Sequence, residues 1–113
     1  MSQAEVIKVL KVKTAGVKRT QKELFMYEKD RDKEQGRVDR LKADGADSHD
    51  IKHAENVLAE AAMMIPETRQ RLATAFSDLQ SYMADNATDI PAESEELAAA
   101  KEIIAAVESL FKT

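Results

Sequence analysis

The chain has 113 residues, with 17 Lys/Arg, 21 Asp/Glu, three glycines, two prolines and no cysteine. One domain is the natural size reading, and the absence of Cys excludes disulfides, thiolate metal sites and a cysteine nucleophile. The longest apolar run, Ala61 to Ile65, falls far short of the roughly 20 residues that a membrane-spanning helix needs, and the first residues lack the apolar stretch and small-residue cleavage site of a secretory signal.

Charge is unevenly placed. Residues 1–42 carry 12 Lys/Arg against 7 Asp/Glu, and the remainder carries 5 against 14. In sequence the basic third is interleaved with Glu23, Glu28, Asp30, Asp32, Glu34 and Asp39, a pattern that reads against a nucleic-acid-binding stripe. The expectation is that the basic segment lies beside acidic ones, or steers a charged protein partner.

In chain order, the first predicted helix covers about residues 3–42. Val6, Leu10, Val17, Leu24, Tyr27, Val38 and Leu41 form its apolar skeleton at spacings of three, four and seven, interrupted at Arg31 and between Glu28 and Arg37. Gly16 and Gly36 fall inside it, each costing about 1 kcal/mol relative to Ala. Asp44-Gly45-Ala46-Asp47-Ser48 then supplies a left-handed stop at Gly45 and a cap for the next helix at Asp47 or Ser48.

The second predicted helix, 48–84, has the clearest pattern. Ile51, Leu58, Ile65, Leu72 and Leu79 recur every seventh residue, with Ala54, Ala61, Thr68, Ala75 and Tyr82 three positions on. Pro66 interrupts the backbone ladder in mid-helix while the heptad continues in register, so a bend near Pro66 is expected rather than an end. Met63 and Met64 either fill the space such a bend opens or belong to a partner surface. The third predicted helix, 90–112, places Pro91 in its first turn and repeats the seam at Ile90, Leu97, Ile104 and Phe111, with Ala100 and Val107 between.

Two short connections make neighbouring helices antiparallel. The fold class is therefore all-α: an elongated antiparallel three-helix bundle with left-handed coiled-coil packing, its longest helices exceeding about 50 Å at roughly 1.5 Å per residue. Val57, Met64, Phe76 and Met83, with Ile103 and Leu110, are expected to supply the second apolar face that a third helix requires. Leu24, Phe25, Met26 and Tyr27 occupy four consecutive helical positions and cannot all be core, so at least one of Phe25 and Met26 is expected at the surface.

Catalytic signals are lacking. His49 and His53 stand four residues apart, but no third ligand accompanies them. There is no calcium-loop spacing, no phosphate-binding glycine loop and no apolar pocket to raise a carboxyl pKa. The expectation is a non-enzymatic protein without metal or other cofactor.

Several stretches resemble one family. Lys11-Val12-Lys13-Thr14, Val17-Lys18-Arg19 and Met26-Tyr27-Glu28-Lys29 are similar to the first helix of the tubulin-binding cofactor A (tubulin-specific chaperone A) family. Asp50-Ile51-Lys52, Ala54-Glu55, Met63-Met64-Ile65-Pro66, Arg71-Leu72, Ala75 and Asp78-Leu79-Gln80 resemble its second helix, so the likeness covers roughly residues 11–80. The Met-Met-Ile-Pro run within a heptad helix is the most specific element, whereas the third helix matches only through its heptad. The resemblance implies a three-helix bundle that captures quasi-native β-tubulin after chaperonin release and passes it on for heterodimer assembly, in the cytoplasm and without nucleotide. It also implies other tubulin-folding cofactors as possible partners, no nucleic acid or membrane, and either a monomer or a homodimer. Candidate contacts for an acidic client are Lys18, Arg19, Lys22, Lys29, Arg69 and Arg71; apolar candidates are Phe25, Met26, Tyr27, Met63 and Met64. The rival reading is a self-assembling coiled-coil scaffold that holds no client.

Overall fold

The structure is a computed structural model that describes residues 2–112. Among these residues there are three α-helices and no strand: α1 (Gln3–Ala43), α2 (Ser48–Asp85) and α3 (Glu95–Phe111), with a short 3-10 turn at Ala87–Asp89.

The α1–α2 connection forms as the local chemistry dictates. Gly45 has φ 66°, the Gly45 N–H donates to the Lys42 carbonyl at 3.2 Å, and the Ala46 N–H donates to the Leu41 carbonyl at 3.0 Å. These are the paired bonds that satisfy the last carbonyls of a helix through a left-handed glycine. Asp47 caps α2, its Oδ1 accepting the His49 N–H at 3.2 Å. Gly45→Ala leaves nothing to clash with but forces a Cβ into the left-handed region, so urea unfolding is expected to show a loss of about 1 kcal/mol. An unchanged midpoint would mean the turn is dispensable.

The third helix begins later than its seam suggests. Expected from about residue 90, α3 starts at Glu95. Ile90 is extended, at φ −102° and ψ 116°, because the ring of a following proline disfavours the helical region. The true start signal is Ser94, whose Oγ accepts the Leu97 N–H at 3.3 Å. Glu95 and Glu96 then place negative charge in the first turn, where the helix dipole favours it. Pro91 sits ahead of the helix, its carbonyl accepting the Ser94 N–H and hydroxyl. Ile90 is nonetheless buried, so it serves the core from the loop.

The chain divides into two compact units. One gathers the chain up to Gln21 and from Arg71 onward; the other is Lys22–Gln70. In the first unit all three helices pack together. Val6, Leu10 and Val17 of α1, Leu72 and Leu79 of α2, and Ala100, Ile103 and Val107 of α3 form its core, each large side chain contributing roughly 1.5–3 kcal/mol of burial. The α1 and α2 portions run antiparallel: Lys13 pairs with Asp78 at 2.6 Å, and the Tyr82 hydroxyl donates to the Val6 carbonyl at 3.4 Å. Lys13 also lies 5.5 Å from the centre of the Tyr82 ring. The pairing of the basic α1 segment with an acidic neighbour is thus realised here. Phe76 meets Phe111, ring centres 6.4 Å apart, so Phe76 does supply a second apolar face. In α3 burial is deepest at Ala100, Ile103 and Val107, while Leu97, Ile104 and Phe111 are half-buried. A helix wedged between two others is buried along the line midway between its two contacts.

The second unit is a two-helix hairpin. Its buried side chains are Leu24, Val38, Ala54, Ile65 and Thr68, whereas Ile51 and Leu58, members of the same heptad as Leu72 and Leu79, are only half-buried. Two helices alone cannot enclose a full apolar seam. Between Leu24 and Val38 the seam of α1 carries Arg31 and Glu34, both half-buried. Lys42 and Glu55 approach to 3.7 Å near the turn. α2 continues as one helix through Pro66. Thr68 is tolerated in the interior because its hydroxyl donates to the Met64 carbonyl at 2.7 Å, as that of Thr14 does to Leu10 in the first unit.

Candidate partner-binding surface

Heptad register decides which side chains of α1 point to solvent. In the first unit the positions away from the seam are Lys8, Lys11, Val12, Ala15, Lys18 and Arg19, all exposed. In the second unit the corresponding positions are Lys22, Phe25, Met26, Lys29, Asp32 and Lys33, again all exposed. Helical geometry separates part of the interleaved acids: Glu23, Glu28 and Glu34 are half-buried toward the seam and its flanks, whereas Asp30, Asp32 and Asp39 are exposed. The acids at outward positions of α1 are Glu5, Asp32 and Asp39, all exposed; Asp32 accepts from Arg31 at 3.0 Å and Asp39 from Gln35 at 3.0 Å. Within each unit the outward positions of α1 are therefore predominantly basic, with apolar side chains among them.

The large exposed apolar residues are Val12 (65%), Phe25 (46%), Met26 (50%) and Met63 (71%). Both Phe25 and Met26 reach the surface, in keeping with the expectation that at least one of them would. Met63 projects outward beside Pro66, while Met64 and Tyr27 are half-buried. Lys18, Arg19, Lys22 and Lys29 are exposed; Arg69 is half-buried and Arg71 exposed, and both are engaged by neighbours within the chain. Lys8, Lys11 and Val12 were missed from sequence, although assigning every α1 residue to its heptad position would have found them.

Met64 and Val57 do not meet a third helix as expected. In the hairpin unit they line an open groove of about 380 Å³ together with Tyr27 and Ala61. Asp30, Glu34, Glu60 and a single lysine, Lys33, form its rim. Glu34 Oε2 is shielded from solvent and has no hydrogen-bond partner; the Arg37 guanidinium stands 4.0 Å from it, beyond hydrogen-bonding range. In the first unit Lys11, Thr14, Ala15 and Lys18 face Glu95, Glu96 and Ala99 across a second shallow groove of about 290 Å³.

Among the described residues no group of three or more His, Asp or Glu side chains could hold a metal ion, and His49 and His53 are both exposed. No helix among them is long and apolar enough to cross a membrane.

Fold and surface together define an all-α protein of the helical-bundle class, with its distinctive chemistry on helix faces. The chain belongs to the tubulin binding cofactor A family, whose model matches residues 5–104. It is 42% identical over 107 residues to tubulin-folding cofactor A of Arabidopsis thaliana, covering 95% of each chain. It is 35% identical over 101 residues to human tubulin-specific chaperone A, covering 89% of this chain and 92% of the relative. The crystal structure of the Arabidopsis thaliana cofactor superposes with a TM-score of 0.88 at 40% identity, over 94% of this chain and 98% of the other. For human tubulin chaperone cofactor A the TM-score is 0.80 at 31% identity, over 91% and 98%.

Proposed function

We propose that this protein is a tubulin chaperone that binds quasi-native β-tubulin after its release from the cytosolic chaperonin and passes it on for heterodimer assembly, with other tubulin-folding cofactors acting downstream. The reading makes it a cytoplasmic, non-enzymatic holder that works without nucleotide, metal or organic cofactor. Family membership supports the tubulin class of client. The observation that carries the mode of action is the outward side of α1, basic and studded with solvent-exposed Val12, Phe25 and Met26. An acidic client is drawn by the lysines and arginines, which speed encounter, and held by apolar side chains that gain burial on contact. The contact set comprises Lys18 and Arg19 in one unit and Lys22, Phe25, Met26, Lys29 and Met63 in the other. Tyr27, Met64, Arg69 and Arg71 are less available, being half-buried or already engaged.

The Lys18→Glu/Arg19→Glu double variant is expected to weaken β-tubulin binding at least about tenfold, equivalent to roughly 1.4 kcal/mol, without loss of helicity by circular dichroism. Titration with purified β-tubulin measures it. Unchanged affinity removes these two residues from the contact set; no binding by the wild-type protein rejects the chaperone reading. Sedimentation at several concentrations tests the scaffold alternative, which requires stable oligomers.

A further inference from the structure

The geometry points to a second, chemically opposite contact in the hairpin unit: the groove between α1 and α2 receives an amphipathic helix of the client that carries Lys or Arg beside its apolar stripe. This inference rests on the β-tubulin reading and specifies which kind of client element is recognised.

Three observations converge. The first is unfinished packing. Lys22–Gln70 contains two helices and no part of α3, and the apolar floor of its groove, Tyr27, Val57, Ala61 and Met64, is left open. Such a floor, at heptad spacing on two antiparallel helices, matches a third helix laid along it, since ridges at three- and four-residue spacing interlock with a helix and not with an extended strand. The second is charge. The rim holds Asp30, Glu34 and Glu60 against Lys33 alone, so the groove is acidic in a protein whose outward α1 face is basic. A helix with acidic flanks would be repelled; one with basic flanks is attracted. The third is the stranded carboxylate oxygen of Glu34, shielded from solvent, lacking a hydrogen bond and 4.0 Å from Arg37. A shielded carboxylate oxygen without a donor is poorly satisfied. A guanidinium or ammonium delivered by the incoming helix completes it with a charge-assisted bond.

The two surfaces make opposite predictions at one residue. Lys33 is exposed and belongs both to the outward positions of α1 and to the groove rim. If the groove takes a basic helix, Lys33→Glu removes a repulsion and tightens binding to β-tubulin, by about threefold or more. If the whole region reads acidic client surface, the same change weakens binding. Glu34→Gln combined with Glu60→Gln, which keeps shape while removing charge, is expected to weaken binding about tenfold with helicity unchanged. A photo-reactive benzophenone amino acid at Ala61, in the groove, is expected to cross-link to a helical β-tubulin segment bearing at least two Lys or Arg. The same group at the exposed Ala59 serves as the control for non-specific capture.

Weaker binding by Lys33→Glu, unchanged binding by the double Gln variant, or an Ala61 cross-link to an acidic or non-helical segment overturns the proposal. So does an Ala61 cross-link to a second copy of this chain. Failure of the wild-type protein to bind β-tubulin is a different result: it rejects the client itself, and the groove assignment with it.

Discussion

Leu79→Ala is expected to lower the unfolding free energy by about 3 kcal/mol, within the roughly 2–5 kcal/mol range for deleting a buried leucine side chain. Leu79 has no solvent exposure and lies in the core that α1, α2 and α3 build together in the first unit. Part of the loss is the transfer free energy of the removed carbons, and the rest is the cavity that a close-packed interior fills only partly. Leu58→Ala is the informative control. Leu58 belongs to the same heptad of α2 but is half-buried in the two-helix unit, where solvent replaces the missing atoms without an enclosed void. Its cost is expected to be about 1 kcal/mol, the transfer term alone. Urea unfolding of the two variants measures the difference. Equal losses would show that the hairpin unit is packed as tightly as the three-helix unit.

Pro66→Ala is expected to act in the opposite direction and raise stability by about 2 kcal/mol. Within a helix, proline costs around 3 kcal/mol relative to Ala through the lost hydrogen bond and the crowded carbonyl four residues back. Here that carbonyl belongs to Ala62. Pro66 is exposed, so removing its ring forfeits little packing; the loss to set against the gain is the greater freedom of the unfolded chain, about 0.5–1 kcal/mol. Thermal unfolding checks the sign, and a lower midpoint would mean that the ring makes a contact worth more than a helical hydrogen bond. The same variant bears on function. Pro66 stands beside Met63, which is 71% exposed. If the proline is retained for client contact, Pro66→Ala gives a more stable protein that binds β-tubulin less well.

The polarity of the chain has two separate consequences. In the first unit, Lys13 of the basic segment is consumed internally, paired with Asp78 and set over Tyr82. Lys18, Arg19, Lys22 and Lys29 are not at the seam and keep their charge in solvent, where salt screens it over about 8–10 Å at physiological ionic strength. The proposed client contact through these residues is therefore expected to weaken as salt is added, whereas the proposed groove contact at the shielded Glu34 Oε2 is expected to be screened less.

Helix content, direction and turn chemistry were all legible in the amino-acid sequence. Each is a local property: Leu72 and Leu79 repeat at the helical period, Gly45 tolerates positive φ, and Asp47 offers an oxygen to free N–H groups. The family was legible too, because Met63 to Pro66 is an unusual run within a heptad. At the start of α3 two local signals competed, and Ser94 prevailed over Pro91 because a proline also constrains the residue before it.

Tertiary structure alone decided how deeply a given seam is buried. Ile51 and Leu79 are equivalent by spacing, yet one is half-buried and the other wholly enclosed. A heptad records which positions face a neighbouring helix, but not how many neighbours are present along each stretch. The same reason left the groove beside Tyr27 and Met64 invisible: their side chains carry the composition of a core, and only the absence of α3 from that unit turns them into a surface.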